Sequence, residues 1–338
     1  MTDFIGAMQA AAGASGGLPT GDYVAVADFS SSGQILLLDH TSPGSLSLAD
    51  TYLVTGNPRA VDFSPDGNYI AAGHESSPRF TLLDHTTPGA LSLATTFTLV
   101  GYGGISFSPD GNYIAVAAGS SGNLVLLDHT TPGSLSLAAT YTIINSTERA
   151  DFSPDGNYIA VLHSSTPFCT LVDHTTPGSL SQAATYTFTS SQNDIKFSPD
   201  GNYIAVAGNN IVTLLDHTTP GSLSLQTTFN HASNGEQAVD FSPDGNYLAI
   251  GCSDSSSGSF ALADHTTPGS LSLAATYNTA AEVRSVAFAP DGNYIFLAGD
   301  KASAQGTLLD HTTPGSVSLA TTYASGGGVF FRCSFSPV

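Results

Sequence analysis

The chain has 338 residues and a formal net charge of −20, because 27 Asp and Glu stand against only seven Lys and Arg. This balance argues against binding to nucleic acid or to an anionic membrane surface, since phosphate contacts depend on Lys and Arg. Three scattered cysteines give no disulfide framework. No Walker motif, dinucleotide-binding glycine motif or Cys-x-x-Cys pair occurs, and no cofactor is expected.

The first 18 residues lie outside the repeats that fill the rest of the chain, so residues 1–18 are predicted to be an N-terminal extension. No Lys or Arg precedes Arg59, so a secretory n-region is missing, and the apolar run is too short for a membrane span. Phe4, Ile5 and Met8 recur at helical spacing. They predict a short amphipathic helix that docks into a groove on a protein partner, and a frayed terminus is the alternative.

This leader resembles the short, Ala- and Gly-rich openings of tailed-bacteriophage virion proteins. The resemblance implies that residues 1–18 anchor the chain to virion structural proteins. The rest of the chain, residues 19–338, would then be displayed outward from the particle.

Residues 19–338 consist of seven copies of one unit, spaced 44 to 47 residues apart at the glycine of a recurring turn. Each unit carries two turns, of the types Ser-Pro-Asp-Gly-Asn and Asp-His-Thr-Thr-Pro-Gly. Outside the worn first unit, the Asp and Gly of the first turn and the Asp and His of the second are Asp66, Gly67, Asp84, His85, Asp110, Gly111, Asp128, His129, Asp155, Gly156, Asp173, His174, Asp200, Gly201, Asp216, His217, Asp244, Gly245, Asp264, His265, Asp291, Gly292, Asp310 and His311. A period of this length indicates a repeat architecture.

Residues 59–100 represent one unit, and their pattern predicts four strands. Residues 60–63 alternate apolar and polar side chains, and residues 69–73 form an almost continuous apolar run. A third strand follows at residues 80–83, and the Thr-rich segment 91–99 has high β-propensity. Four strands in about 45 residues are typical of a propeller blade, so we predict an all-β, seven-bladed β-propeller.

The unit resembles the WD40 repeat in its Val-x-Phe-Ser-Pro-Asp-Gly core, which is followed by a strand that ends in Asp. The chain contains no Trp, and Leu83 stands where the family has one. No Gly-His pair opens each unit either. The hydrogen-bonded tetrad of that family is therefore expected to be absent, and the Asp-His-Thr-Thr block is expected to fix the blades instead.

The two chain ends are predicted to build the last blade together. Residues 19–26 are a worn copy of the first turn and second strand, with no strand before them. Residues 331–338 supply a first strand and stop inside its turn. Such a closure removes the exposed edges of an open array.

The seven Asp-His pairs do not predict a metal centre. Neighbouring sheets pack about 10 Å apart, whereas Zn–N bonds are about 2 Å, so equivalent His residues cannot share an ion. We expect Asp to cap the turn and His to contact backbone groups. Accordingly, no metal-binding or catalytic residue is assigned.

Charged residues at the first-strand entrances lie near the predicted channel mouth. Arg149, Glu236 and Arg284 are the candidate partner-binding residues there. We expect a non-enzymatic structural or interaction protein, a bacteriophage virion component of capsid, neck or tail. Its location would be the virion, assembled in the host cytoplasm, or otherwise the cytoplasm. The alternative is a bacterial propeller enzyme or ligand-binding protein with a site at the channel mouth.

Overall fold

A computed structural model shows seven four-stranded antiparallel sheets arranged as a ring, which confirms the predicted seven-bladed all-β propeller. It describes residues 22–30, 33–143, 146–208, 210–230, 235–253, 260–279, 281–300 and 304–337. The leader, with Phe4, Ile5 and Met8, lies outside the described residues, so its anchoring role stays untested.

Each of the six blades built from one continuous segment uses its strands in chain order from the centre of the ring outward. The first three blades are β4–β7 (Pro58–Phe63, Tyr69–His74, Arg79–Asp84, Ser92–Thr98), β8–β11 (Ile105–Phe107, Tyr113–Ala117, Asn123–Asp128, Ser136–Thr142) and β12–β15 (Thr147–Phe152, Tyr158–His163, Phe168–Asp173, Ser181–Thr187). The next three are β16–β19 (Asp194–Phe197, Tyr203–Gly208, Ile211–Asp216, Ser224–Phe229), β20–β23 (Glu236–Phe241, Tyr247–Cys252, Phe260–Asp264, Ser272–Tyr277) and β24–β27 (Val283–Phe288, Tyr294–Gly299, Gly306–Asp310, Ser318–Tyr323).

The seventh blade joins the two ends of the chain, as the sequence predicts. It consists of β28 (Val329–Phe335), β1 (Tyr23–Phe29), β2 (Gln34–Asp39) and β3 (Ser47–Leu53), in that order. β28 pairs antiparallel with β1, and beyond the strand the Ser336 N–H donates to the Tyr23 carbonyl at 2.9 Å. A hydrogen-bonded sheet therefore closes the ring.

The Ser-Pro-Asp-Gly-Asn turn is held by hydrogen bonds among its own residues. In the first blade, Ser64 Oγ–H donates to Asp66 Oδ1 at 2.6 Å and accepts the Tyr69 N–H at 2.9 Å. The same Asp66 oxygen accepts the Asn68 N–H at 3.0 Å. Gly67 has a φ of 72°, a left-handed conformation that Gly adopts without the steric cost of a Cβ. These contacts explain why five adjacent positions recur with so little change.

The histidines of the second turn connect neighbouring blades. His129 Nδ1–H donates to the Gly111 carbonyl at 2.9 Å, and its Nε2 accepts the Gly133 N–H at 3.2 Å. Its buried ring packs edge-on against Phe107 of its own blade and Tyr69 of the preceding blade. The other six histidines of this turn make the same two ring contacts: His40, His85, His174, His217, His265 and His311.

Replacing His129 with alanine is expected to lower the free energy of unfolding by about 1 to 2 kcal/mol, because buried hydrogen bonds and the contact with Tyr69 are lost. Chemical denaturation measures this change. The control is Thr131→Ala, at an exposed position of the same turn, which should have little effect. Addition of EDTA should leave both proteins unchanged. A large fall in melting temperature with EDTA would show instead that the histidines hold a metal.

Candidate functional site in the central channel

The candidate site is a cavity of about 200 Å³ in the central channel. Residues from the first strands of all seven blades line it. The site depends on the one part of the unit that does not repeat. The residue before the recurring Phe of each first strand is Asp62, Ser106, Asp151, Lys196, Asp240, Ala287 or Ser334. A symmetric scaffold thus carries an asymmetric set of channel side chains.

These seven positions form the lower level of the channel, toward the Ser-Pro-Asp-Gly turns. Several of the side chains accept the backbone N–H of the recurring Phe in the next blade. Asp62 Oδ2 accepts from Phe107 at 3.0 Å, and Asp240 Oδ2 accepts from Phe288 at 2.7 Å. Ser106, Asp151 and Ser334 make the equivalent bond. One oxygen of each carboxylate is therefore held in place by the fold.

Lys196 supplies the positive charge of the lower level. Its Nζ donates to Asp151 Oδ1 at 3.1 Å, and 40% of its side chain faces the open volume of the channel. The Asp151 carboxylate, with help from Asp240 and Asp62, raises the pKa of Lys196. Lys196 is therefore a permanent cation among three acids.

Two of these acids have pKa values near neutrality. Burial raises the pKa of Asp240 to about 7, although Lys196 opposes the shift. Burial likewise raises the pKa of Asp62 to about 6. Asp62 Oδ1 also accepts a hydrogen bond from Ser334, whereas among the described residues only one oxygen of Asp240 has a partner. Asp240 thus combines a free oxygen in the cavity with a pKa suited to proton transfer at neutral pH.

An upper level lies two residues earlier on the same strands, toward the variable loops. Arg332 Nη1 reaches across the channel from the seventh blade and donates to Asp194 Oδ2 at 3.1 Å. Arg149 Nε lies 3.5 Å from Asp194 Oδ1 but makes no hydrogen bond, although it is buried. Burial lowers the pKa of Arg149 to about 9, and the charge of Arg332 adds to this effect. Two guanidinium groups therefore share one carboxylate.

β-bulges place a further ring of side chains at the mouth. In five first strands the pairing register skips one residue, which lies next to the upper level: Arg59, Glu148, Gln237, Arg284 and Phe331. A bulge redirects the side chain at that position, and bulges are frequent next to active sites. The Arg59 guanidinium packs 4.5 Å from the Phe29 ring centroid and 4.4 Å from that of Phe331.

The three charged residues predicted at the channel mouth do not share one location in the structure. Arg149 lines the cavity. Arg284 lies at the mouth, paired with Glu282 at 2.7 Å and with Asp300 at 3.6 Å. Glu236 begins β20, and its side chain lies outside the described part of the chain. Arg149 and Arg284 therefore lie at different depths of the channel, and the partner-binding role of the three residues stays a prediction.

Sequence reasoning missed the three acids and the one cation of the lower level, together with Arg332. The signal was present, because the position before the recurring Phe varies while its neighbours hardly change. Asp151 lies 89 residues after Asp62 and 89 residues before Asp240. The three acids therefore come together only when the ring closes.

Two other chemistries find no support in the cavity. Within the described ranges, no cluster of three His, Cys, Asp or Glu is arranged to hold a metal ion. Cys333 lines the cavity, but burial raises the pKa of its thiol to about 12, so the thiolate nucleophile is disfavoured. Polar acid–base chemistry is what the arrangement favours.

Comparison with known families supports a WD40-like propeller. The model of the WD domain, G-beta repeat, matches residues 50–86, 182–216, 223–256 and 272–314. No curated protein sequence matches the chain. WD40 propellers commonly mediate protein interactions, and in the described residues no helix has the length and hydrophobicity to cross a membrane.

Solved structures with the same fold cover nearly the whole chain. A candidate 6-phosphogluconolactonase of Bacteroides uniformis has a TM-score of 0.79 at 18% identity, and 93% of this chain and 99% of that chain align. The periplasmic gluconolactonase PpgL of Pseudomonas aeruginosa has a TM-score of 0.72 at 18% identity, over 94% and 97% of the two chains. The Cps50 (Swd1) propeller domain of Myceliophteria thermophila has a TM-score of 0.67 at 16% identity, over 84% and 91%.

These comparisons correct two expectations from the sequence. The chain was expected to be a non-enzymatic bacteriophage virion component, and that expectation is wrong. Bacterial lactonases and candidate lactonases are prominent among its structural neighbours, and nothing links it to a virion. The Ala- and Gly-rich leader misled because so simple a composition occurs in many unrelated proteins. The alternative, a bacterial enzyme or ligand binder with a channel site, has the better support.

Proposed function

We propose that this protein is a propeller enzyme that hydrolyses the ring ester of a small hydroxylated lactone in its central channel. The observation that carries the proposal is the asymmetric polar cavity. Three carboxylates and three cations line it, and a fourth carboxylate, Asp151, pairs with Lys196, on a scaffold whose other positions repeat almost unchanged. The names of the similar lactonases supply the reaction class, and the geometry of this chain supplies the roles.

Asp240 is the general base of the proposed reaction. Its free carboxylate oxygen takes a proton from water while the water oxygen forms a bond to the lactone carbonyl carbon. Lys196 faces the same volume and stabilises the negative charge that develops on the carbonyl oxygen. The ring C–O bond then breaks, and the leaving alkoxide takes the proton back from Asp240. The product is an open hydroxy acid, and the carboxylate of Asp240 is restored.

The test is acid release from glucono-δ-lactone by the purified protein, followed in a pH-stat against the spontaneous rate in buffer. We expect hydrolysis well above that rate, saturable in lactone and abolished by heat denaturation. Heat-denatured protein and an equal concentration of serum albumin serve as controls. A rate equal to the spontaneous one across a panel of five- and six-membered lactones would refute the enzyme. Lactone binding without turnover would leave only a ligand-binding protein.

A cytoplasmic location stays a prediction.

A further inference from the structure

We infer that the substrate carries a free carboxylate group besides its lactone ring, and that Arg149 binds this carboxylate at the upper level of the channel. The inference rests on the proposed function and specifies its substrate class. It begins from the incomplete pairing of Arg149.

Asp194 is largely satisfied without Arg149. Its Oδ2 accepts both the Arg332 guanidinium at 3.1 Å and the Val239 N–H at 3.2 Å. Arg149 donates from Nη1 to the Glu148 carbonyl at 2.9 Å, but its buried Nε makes no hydrogen bond. A buried cation with an unused donor is costly unless an anion completes it. Arg149 is one of the residues that line the cavity, and 21% of its side chain is exposed, so an anion in the cavity can reach the guanidinium group.

The charge of the two levels favours a carboxylate over a phosphate. The upper level has two guanidinium groups and one carboxylate, an excess of one positive charge. The lower level has three acids against Lys196, so a doubly charged group would be repelled from below. A guanidinium can bind either anion through two parallel N–H groups, so the charge balance of the two levels is what favours the carboxylate.

The spacing of the levels fits a short chain with an anionic group at one end. Arg149 lies two residues before Asp151, so the levels are separated by about 6 to 7 Å along the strands. A ligand held by Arg149 would place its reacting carbonyl beside Asp240 and Lys196. The cavity of about 200 Å³ admits a small hydroxy acid and little more.

The experiment compares three lactones that differ in one substituent: a glucarolactone with a free carboxylate, neutral glucono-δ-lactone and 6-phosphoglucono-δ-lactone. For the wild-type protein we expect kcat/KM to be highest for the glucarolactone, by about tenfold or more. Arg149→Gln should reduce that value by about 10- to 100-fold, as loss of a charge-assisted hydrogen bond predicts, and the value for the neutral lactone less than threefold. The matched control is Arg59→Gln, because the guanidinium of Arg59 is already paired with Glu75 at 2.6 Å.

Each other outcome has a definite meaning. Equal rates for the neutral and carboxylate lactones, with Arg149→Gln slowing both equally, would overturn the anion site while the proposed function stands. A preference for the phosphate ester would show that the substituent is wrong. If no lactone is hydrolysed, the proposed function fails, and calorimetric titration with glucarate still tests the site. Binding by the wild type that Arg149→Gln weakens would support it, and equal binding or none would refute it.

Discussion

Replacing Asp240 with asparagine is expected to lower kcat for lactone hydrolysis by about 10²- to 10⁴-fold, the usual contribution of a general base. Asparagine still accepts the Phe288 N–H, which Asp240 accepts at 2.7 Å, so the loss would come from chemistry rather than from a displaced strand. Initial rates under saturating lactone measure the effect. Asp84→Asn, at a half-buried residue that does not line the cavity, is the control and should keep wild-type activity. Activity of Asp240→Asn within threefold of wild type would remove Asp240 from the mechanism.

The same variant separates a functional acid from a structural one through its dependence on pH. The folded protein raises the pKa of Asp240 from 3.8 to about 7, so it binds the proton more tightly than the unfolded chain does. Its contribution to stability is therefore present at low pH and is lost as pH rises through about 7. We expect Asp240→Asn to match wild type below about pH 4, and its stability advantage over wild type to grow as pH rises and to level off above about pH 7, at about 1 kcal/mol or more.

The activity of the wild-type protein should rise with pH over the range in which the contribution of Asp240 to its stability falls. Only ionised Asp240 accepts a proton, so kcat/KM should rise as pH increases through about 7. A carboxyl group that weakens the fold where it supports turnover is retained for function rather than for stability. Identical stability of wild type and variant from pH 5 to pH 8 would contradict the buried environment described for Asp240.

The repeat made the fold predictable. Seven copies of one turn and one apolar strand indicate a ring of blades. Residues 331–338 end at the point of the unit where residues 19–26 begin, and this indicates how the ring closes. The channel was far less predictable. In the sequence, Asp240 is the polar member of an alternating strand, and only the variation of its position among the seven units sets it apart. The pairing of Arg332 with Asp194 depends on two opposite blades, 138 residues apart.

The β-bulges limited prediction further. Strict alternation along a first strand assigns Arg59 and Ala60 to opposite faces of the sheet, but the register skips Arg59. A single inserted residue therefore decides which side chains surround the mouth. No residue type signals this, because the skipped positions include Arg, Glu, Gln and Phe.

Deletion of residues 329–338 is expected to unfold the propeller rather than to shorten it. The deletion removes β28, and with it the inner strand of the seventh blade. Phe330 is fully buried in the core between the sixth and seventh blades, and removal of one such Phe side chain costs about 3 to 5 kcal/mol. A typical domain has a free energy of unfolding of about 5 to 15 kcal/mol. Removal of the whole strand should therefore lower this free energy by most of its value or more.

Far-UV circular dichroism and thermal melting measure this loss, and a point variant keeps the test informative if the truncated chain aggregates. Phe330→Ala should lower the free energy of unfolding by about 3 to 5 kcal/mol, whereas Leu53→Ala, at a side chain 64% exposed on the outer strand of the same blade, should change it little. A synthetic peptide of residues 329–338 added in trans should restore part of the melting transition, because its pairing with β1 would shift the unfolding equilibrium toward the folded ring. Unchanged melting of the truncated chain would show that the ring does not depend on its closing strand, and that inter-blade contacts such as those of His129 hold it together on their own.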